Sequence, residues 1–308
     1  MAKPTFKANP IQVQVPATSA NLGPGFDSFG LAFGMHDRYV AQVLDEGGLD
    51  IDVTGEGADD VPRSEKNLLV KAMYKGFDFL GGKPKGVAVR ALNVIPHGRG
   101  LGSSAAAIIG GLVLARSLVL TGTEKMSDEV LLTLATEMEG HPDNVAAALF
   151  GGATIAWSDE VRGAVHARSI HLPVDPRIKA MAFIPAQSLA TKKARAMLPD
   201  SIPFNDAQRN STNAAIMSQA LTIRPDLLLT ATEDFLHQRY RQEAMPASFA
   251  LMTKLRAAGV AAFISGAGPT VLALHTGDLE ESEQLARAGG AAFEGRSLEI
   301  AARGATLL

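Results

Sequence analysis

The pattern of apolar and polar positions predicts strands and helices that alternate along the whole chain. Residues 11–15 alternate with the period of a half-buried strand, and Pro16 is expected to end it before a loop over 17–30. The runs 39–44 and 49–53 flank Asp-Glu-Gly-Gly, which predicts a hairpin. Helices are predicted over 67–80, 103–120, 127–138, 191–198, 213–221, 225–236, 246–258 and 279–288. Further strands are predicted over 87–95, 178–184, 261–264, 270–275 and 297–302.

Mixed elements in both halves of the chain favour an α+β fold with two domains. The chain has 308 residues, and a domain averages roughly 100–200. The segment Leu-Pro-Val-Asp-Pro at 172–176 interrupts the periodic pattern, as a connection between domains would. We therefore predict one domain over 1–172 and a second over 173–308.

Composition and charge exclude several classes of site and partner. The absence of cysteine excludes disulfides, a thiolate nucleophile, iron–sulfur clusters and cysteine-bearing zinc sites. A balance of 29 basic against 32 acidic residues argues against nucleic-acid binding. The most apolar region, 105–120, contains two glycines and Arg116 and is too short to span a bilayer, and residues 1–10 lack a signal sequence. We expect a cytoplasmic protein with neither nucleic-acid nor membrane partners.

A glycine-rich segment at 96–107 carries the clearest chemical signal in the sequence. Gly98, Gly100 and Gly102 stand at alternate positions, and Ser103 and Ser104 follow at the start of a predicted helix. Glycines allow positive φ and close approach, and both amide nests and helix N-termini attract anions. The spacing matches neither a P-loop nor a dinucleotide fingerprint. We predict a phosphate-binding loop, with a serine-capped turn as the alternative.

Two other glycine-containing segments complete a known pattern. PATSANLGPGFDSFGLAF at 16–33, PHGRGLGSSAAA at 96–107 and SGAGPTVLAL at 265–274 resemble the three signature motifs of the GHMP kinase superfamily. The first motif, together with EGHPDNV at 139–145 and TKKAR at 191–195, is most similar to the branch that phosphorylates homoserine in threonine biosynthesis. The resemblance implies an N-terminal domain like ribosomal protein S5, a ferredoxin-like C-terminal domain, and an active site between them.

The resemblance also implies ATP as the phosphoryl donor and Mg²⁺ as the metal. The ATP-binding residues would be Asn67, Pro96, His97, Gly98, Arg99, Gly100, Leu101, Gly102, Ser103, Ser104, Ala105 and Ala106. Ser104 and Glu139 would bind Mg²⁺, which prefers oxygen ligands. Ser103 and Glu137 are the alternatives for the two metal ligands.

The implied substrate, L-homoserine, is a zwitterion that bears a primary alcohol. Two arginines suit its carboxylate, because a guanidinium can bind a carboxylate through two parallel hydrogen bonds. By the resemblance, Arg195 and Arg241 fill that role, Asp27 and Asn21 meet the ammonium and hydroxyl groups, and His141 and Thr191 line the pocket. A homodimer is expected from the same resemblance.

The catalytic set implied by the resemblance is Asn144, His141 and Asp27. Asn144 stands where other branches carry a catalytic aspartate, and an amide does not accept a proton near neutral pH. We therefore expect catalysis by alignment, with a positioning role for His141; Asp143 and His141 are the alternative general bases. Three other functions stay open: a sibling kinase acting on mevalonate or a sugar, a ligand sensor without catalysis, and a phosphate-binding structural subunit.

Overall fold

The computed structural model describes residues 3–161 and 163–308 and contains two β-sheets with helices packed on them. The strands are β1 (Ile11–Asn21), β2 (Gly25–Leu44), β3 (Gly48–Gly55), β4 (Gly86–Asn93), β5 (Ala153–Val161), β6 (Ala164–Leu172), β7 (Lys179–Pro185), β8 (Ala261–Ile264), β9 (Val271–His275), β10 (Phe293–Leu298) and β11 (Thr306–Leu307). The helices are α1 (Leu68–Phe79), α2 (Ser103–Leu118), α3 (Gly122–Lys125), α4 (Asp128–Glu139), α5 (Asp143–Phe150), α6 (Thr191–Arg195), α7 (Phe204–Thr222), α8 (Leu228–Ala231), α9 (Pro246–Ala257) and α10 (Leu279–Ala286). Short 3-10 turns span Pro225–Leu227, Arg239–Ala244 and Arg287–Ala292.

The first sheet has seven strands and is organised around the long strand β2. Its main path is β11-β1-β2-β4-β3, while β5 pairs with the early part of β2 and β6 pairs with β5. The 20 residues of β2 allow both arrangements, since Phe29–Leu31 contact β5 and Arg38–Leu44 contact β4. Strand β11, near the end of the chain, joins the free side of β1.

The second sheet has four strands in the order β10-β7-β9-β8, and all its neighbouring pairs are antiparallel. Numbered within this half of the chain, that order is 4-1-3-2, the arrangement of a ferredoxin-like β-α-β-β-α-β unit. The predicted α+β fold is confirmed. None of the helices in the described parts of the chain is long and apolar enough to cross a membrane.

Two local predictions at the start of the chain are wrong. Strand β1 continues past Pro16 to Asn21, because a register shift after Pro16 lets 17–20 pair with 30–33 of β2. The predicted loop over 17–30 is therefore mostly strand, with a short turn at 22–24. The predicted hairpin is also absent: β3 pairs in parallel with β4, and β4 lies between β2 and β3. A parallel pair needs a crossover connection, which α1 provides here.

Most other predicted elements lie near the observed ones, but the pattern does not reveal β5 and β6, and α7 begins at Phe204, nine residues before the predicted helix. The helix predicted over 225–236 is confined to the 3-10 turn Pro225–Leu227 and α8, which ends at Ala231. The last predicted strand, 297–302, begins four residues earlier as β10. The pattern also did not reveal α5, whose first residues prove to line the site.

One apolar core joins the elements of both sheets. It includes Val89 of β4 and Ile109 of α2 together with Ala180 of β7 and Leu274 of β9. Helix α2 packs on α1 at close range, since a Cβ on Gly111 would lie 2.3 Å from the Leu69 carbonyl oxygen. This buried packing fixes α2, and hence the start of α2, relative to the strands. The boundary between 172 and 173 stays a prediction.

Candidate active site

The three sequence motifs meet at the N-terminal end of α2. The Thr18 amide in the first motif donates to the Leu101 carbonyl in the second, at 3.0 Å. The Gly266 amide in the third motif donates to the Ala20 carbonyl in the first, at 3.2 Å. Segments that lie far apart in the sequence thus form one hydrogen-bonded cluster around the glycine-rich loop.

Two glycines of that loop are required by the close approach of the other motifs. Gly102 has φ +74°, and a Cβ there would lie 2.0 Å from the Thr18 hydroxyl oxygen. Gly100 has φ +77°, and a Cβ there would lie 2.3 Å from the Ser265 carbonyl oxygen. Only glycine adopts this backbone conformation without strain and also leaves room for the neighbouring segments.

The start of α2 provides backbone amides for an anion. Gly102 is the N-cap and makes no side-chain cap, so neither serine caps the helix. The first helical hydrogen bond runs from the Ala106 amide to the Gly102 carbonyl, and the amides of 103–105 precede it. The side chains of Ala105 and Ala106 are buried in the core. These amides and the helix dipole favour a phosphate at this position.

Two cavities meet at Ser103 and Ser104. The first, of about 280 Å³, is mainly apolar and includes Tyr39, Val53, Leu68, Asn67 and His97 in its wall. The second, of about 110 Å³, is polar and brings together Asn21, Asp27, Glu139, His141, Asn144, Thr191, Arg195 and Arg241 with the glycine-rich loop. A larger cavity of about 720 Å³ lies between Gly152 and α10, and none of the predicted site residues lines it.

Ser104 and Glu139 lie together at the edge of the polar cavity. The Ser104 hydroxyl donates to the Glu139 carboxylate at 2.6 Å. Burial raises the pKa of Glu139, and the hydrogen bond from Ser104 partly opposes that shift. Glu137, the alternative ligand, forms an exposed ion pair with Lys75 at 2.7 Å and lines neither cavity.

His141 and Asp143 form a buried ion pair beside the same carboxylate. His141 Nδ1 lies 2.6 Å from the Asp143 Oδ1, which also accepts the Asn144 amide at 2.7 Å. Burial alone would lower the pKa of His141, but the hydrogen bond and the negative charges of Asp143 and Glu139 raise it to about 9. At neutral pH His141 is therefore a cation and a hydrogen-bond donor. It cannot act as a base without first losing this proton.

Asp27 and Arg195 form an ion pair in the wall of the polar cavity. Both guanidinium Nη atoms of Arg195 donate to the Asp27 carboxylate, at 2.7 and 2.9 Å. The hydrogen bond from Arg195 to Asp27 raises the pKa of the arginine. Asn21 orients this arrangement, since its Oδ1 accepts the Asp27 amide and its Nδ2 donates to the Gly266 carbonyl, both at 3.0 Å.

Arg241 has a different environment, because its hydrogen-bond partners are neutral. Its side chain is buried, with Nε donating to the Ala194 carbonyl at 3.2 Å and Nη1 donating to the Gly266 carbonyl and to His237 Nδ1, each at 3.1 Å. Burial and the nearby charge of Arg195 lower the pKa of Arg241 to about 10. Within residues 3–161 and 163–308, no carboxylate forms an ion pair with it and no group accepts a hydrogen bond from Nη2. Arg241 thus presents a buried positive charge to the cavity.

The remaining predicted residues have mixed placements. Asn67 caps α1 by accepting the Leu69 amide at 3.0 Å, and it also lines the apolar cavity. Asn144 lines the polar cavity, and its Oδ1 accepts a hydrogen bond from the Thr18 hydroxyl at 2.9 Å. Thr191 lines the same cavity and is exposed. The Arg99 guanidinium donates to the carbonyls of His97, Pro185 and Ala186, and Arg99 lines neither cavity. Pro96 and Leu101, which belong to the loop, have buried side chains.

The sequence reasoning missed two buried residues that support the site. The Asp37 carboxylate accepts the amides of Val94 and Ile95 and the Tyr39 hydroxyl, which fixes the chain just before the glycine-rich loop. His237 contacts Arg241 directly. Neither lies within one of the three motifs, and only the long-range contacts reveal them.

Comparison with known proteins agrees with this geometry. Residues 67–152 match the model for the GHMP kinases N-terminal domain, and residues 216–295 match that for the GHMP kinases C-terminal domain. The homoserine kinase of Streptomyces avermitilis is 50% identical over 308 residues, covering 100% of this chain and 99% of that protein. The chain belongs to the GHMP kinase family, within its homoserine kinase branch. The homoserine kinase of Mycobacterium tuberculosis is 46% identical over 85% of this chain and 83% of its own length.

Solved structures support the fold assignment. A crystal structure of homoserine kinase from Cytophaga hutchinsonii covers 100% of both chains with a TM-score of 0.83 and 25% identity. Mevalonate diphosphate decarboxylase from Staphylococcus aureus shares the fold, with a TM-score of 0.67 at 14% identity. The two-domain GHMP kinase fold implied by the motifs is confirmed.

Proposed function

We propose that the enzyme transfers the γ-phosphoryl group of ATP to the hydroxyl of L-homoserine and forms O-phospho-L-homoserine. The homoserine kinases at up to 50% identity support this reaction. The observation that carries the proposal is the environment of Arg241, whose charge is buried and hydrogen-bonded only to neutral groups in the described structure. The Asp234 and Asp27 carboxylates act on this charge only through space and form no ion pair with it, so an anionic ligand such as a carboxylate in direct contact would stabilise it.

The polar cavity fits a zwitterionic amino acid. In the absence of substrate, Asp27 and Arg195 satisfy each other. An amino acid can replace both partners, with its ammonium at Asp27 and its carboxylate between Arg195 and Arg241. Mevalonate and sugars have no ammonium group to compensate Asp27, which favours homoserine over the substrates of the sibling kinases.

The nucleotide would occupy the apolar cavity, with its phosphates at the start of α2. Tyr39, Leu68 and Asn67 offer apolar and hydrogen-bonding contacts to a base. Ser103 and Ser104 border both cavities, so a γ-phosphate placed there would lie beside the substrate. The two adjacent cavities thus provide the close alignment that phosphoryl transfer requires.

Ser104 and Glu139 fit Mg²⁺, because a hydroxyl and a carboxylate already lie 2.6 Å apart and Mg²⁺ prefers a few such oxygens plus phosphates and water. Mg²⁺ bound there would neutralise charge on the phosphate oxygens. Replacement of Glu139 would remove the charged member of this pair, whereas Glu137 is engaged elsewhere with Lys75.

We propose that catalysis proceeds without a strong general base. His141 holds its proton in the ion pair with Asp143, and Asn144 carries an amide. The protonated His141 and the start of α2 would stabilise negative charge on the transferred group. The new oxygen–phosphorus bond would form as the bond from the γ-phosphorus to the β,γ-bridging oxygen breaks and ADP leaves, and the hydroxyl proton would pass to a phosphate oxygen or to solvent.

We also propose a pathway, a cellular location and an oligomeric state for the enzyme. The product would be an intermediate of threonine biosynthesis, and we place the enzyme in the cytoplasm as a homodimer. Nucleic acid and membranes are not among the partners we propose.

An ADP-release assay with purified protein, ATP, Mg²⁺ and homoserine, mevalonate or galactose tests the reaction. We expect ADP release with homoserine and none with mevalonate or galactose. Turnover with mevalonate or galactose instead would assign the protein to a sibling activity. ATP binding without turnover of any of them would favour a sensor.

A further inference from the structure

His237 is a buried residue beside the substrate site and outside the three motifs. It lies between α8 and the 3-10 turn Arg239–Ala244, and its side chain is fully buried. Its Nε2 is 2.9 Å from the Gly23 carbonyl oxygen, and its Nδ1 is 3.1 Å from Arg241 Nη1. The imidazole therefore contacts two parts of the substrate site at once.

The chemistry of these two partners determines the protonation of the ring. A carbonyl oxygen only accepts, so Nε2 must carry a hydrogen; a guanidinium only donates, so Nδ1 must present its lone pair. His237 is therefore a neutral imidazole of defined tautomer. Burial and the charge of Arg241 also lower the pKa of His237, although the carboxylate of Asp234 opposes the shift.

The backbone around His237 is held in place independently of the ring. The Asp234 carboxylate accepts the amides of Leu236 and His237 at 3.0 Å and that of Gln238 at 2.7 Å. Asp234 Oδ1 is 3.6 Å from His237 Nε2, which is beyond hydrogen-bond distance. The imidazole is thus free to bind Gly23 and Arg241.

Each contact of His237 supports one side of the pocket. Gly23 lies in the short turn between Asn21 and Asp27, so the Nε2 bond fixes the turn that carries the ammonium-side residues. The Nδ1 bond and the Gly266 carbonyl together fix Nη1 of Arg241, and the Ala194 carbonyl accepts a hydrogen bond from Nε. Among the described residues this arrangement leaves Nη2 of Arg241 without an acceptor, at the cavity wall.

We propose that His237 is a positioning residue for the substrate carboxylate. Its neutral imidazole holds the Arg241 guanidinium in the orientation that directs Nη2 to the ligand, and it ties Arg241 to the turn that carries Asp27. This inference rests on the proposed function, since it assumes that Arg241 binds the carboxylate of the amino acid.

Two substitutions separate the two contacts of the ring. In His237→Asn, the amide oxygen replaces Nδ1 as an acceptor, and the bond to Gly23 is lost. In His237→Gln, the amide nitrogen replaces Nε2 as a donor, and the acceptor for Arg241 is lost. A hydrogen bond to a charged group is strong enough that its loss raises KM by about tenfold or more.

We expect His237→Gln to raise KM for homoserine at least about tenfold with KM for ATP unchanged, and His237→Asn to raise it by less than about threefold. Thermal melting of each variant shows whether the fold is intact. The proposal is overturned if His237→Gln keeps the wild-type KM for homoserine, or if both variants change the two KM values equally.

Nitrogen NMR of histidine-labelled wild-type protein provides a readout that does not depend on activity with homoserine. The His237 signals, identified by their loss in a His237 variant, should show a protonated Nε2 and an unprotonated Nδ1 at neutral pH. A doubly protonated ring would contradict the inference. Wild-type protein that shows this tautomer but does not turn over homoserine would contradict the proposed function instead.

Discussion

At the scale of single residues, the two arginines of the polar cavity differ in how their charge is balanced. Arg195 forms a bidentate pair with Asp27 and is partly exposed, whereas Arg241 is buried among neutral acceptors. Arg241 has no carboxylate in direct contact among the described residues, so it would gain more from a bound anion than Arg195 does. Removal of its charge should therefore affect substrate binding more selectively than removal of an exposed arginine.

We expect Arg241→Gln to raise KM for homoserine by about a hundredfold or more, because loss of one partner from a buried charge pair costs about 3–5 kcal/mol. KM for ATP should stay near its wild-type value. Arg239→Gln is the matched control, since Arg239 lies two residues earlier and pairs with Asp206 at the surface. Equal losses for both substrates in steady-state kinetics would refute the pocket assignment.

Glu139 and Glu137 provide a matched pair for the metal site. Glu139→Gln should raise the Mg²⁺ concentration needed for half-maximal activity by about tenfold or more, since it removes the carboxylate next to Ser104. Glu137→Gln removes only a surface ion pair with Lys75 and should leave the Mg²⁺ requirement unchanged. A similar Mg²⁺ dependence in the two variants would count against Glu139 as a ligand.

The ion pair between His141 and Asp143 makes stability depend on pH in a defined window. The folded protein holds the His141 proton up to a pKa of about 9, while the unfolded chain releases it near 6.5. The resulting stabilisation, about 3 kcal/mol, is complete below pH 6.5 and is lost as the pH rises through 9. The free energy of unfolding of wild type relative to His141→Gln should fall by that amount between about pH 6 and 10. A constant difference across this range would show that folding does not raise the pKa of His141.

At the scale of elements, the decisive feature is the junction between the glycine-rich loop and α2. Three segments approach this junction so closely that a side chain at Gly100 or Gly102 would overlap a neighbour. The backbone amides at the start of α2 therefore depend on the packing of the first and third motifs. A change that moves the loop should impair ATP binding.

We expect Gly102→Ala to raise KM for ATP by about tenfold or more, because its Cβ would overlap the Thr18 hydroxyl and displace the loop. Gly259→Ala is the control for backbone strain alone: Gly259 has φ +84°, and a Cβ there would meet no atom within 4 Å. Steady-state kinetics and thermal melting separate the two effects. If both variants lose stability equally and keep KM for ATP, the close approach at Gly102 does not shape the nucleotide site.

At the scale of the whole molecule, one apolar core contains buried residues of both sheets, and β11 returns from the end of the chain to pair with β1. These connections link the two predicted domains through buried surface. The polar cavity also depends on both, since Asp27 comes from the first and Arg195 and Arg241 from the second. The site requires the two parts to be correctly packed.

We therefore expect the protein to unfold in one cooperative transition, because separation of the parts would expose the shared core. Trp157, the single tryptophan, lies in β5 of the first sheet, whereas far-ultraviolet circular dichroism reports on the whole chain. Denaturant titrations followed by the two signals should have the same midpoint. Separate midpoints would indicate that 1–172 and 173–308 fold independently.

The sequence by itself determined the α+β class, most helices and strands, the glycine-rich loop and the family, because these are encoded in local periodicity and in short motifs. It did not determine how strands pair: β4 lies between β2 and β3, and Pro16 is accommodated at a register shift within β1. Pairing depends on contacts between distant segments, which a local pattern does not encode.

The charges of the site show the same division. The family resemblance predicted Asp27, His141, Arg195 and Arg241 as site residues. Only the tertiary structure showed that Asp27 pairs with Arg195 and that the ion pair with Asp143 makes His141 a cation. It also decided that Arg241 has neutral partners and that His237 is one of them. The physical reason is that protonation and charge balance depend on burial and on nearby groups in space, which come together only when distant parts of the chain fold against each other.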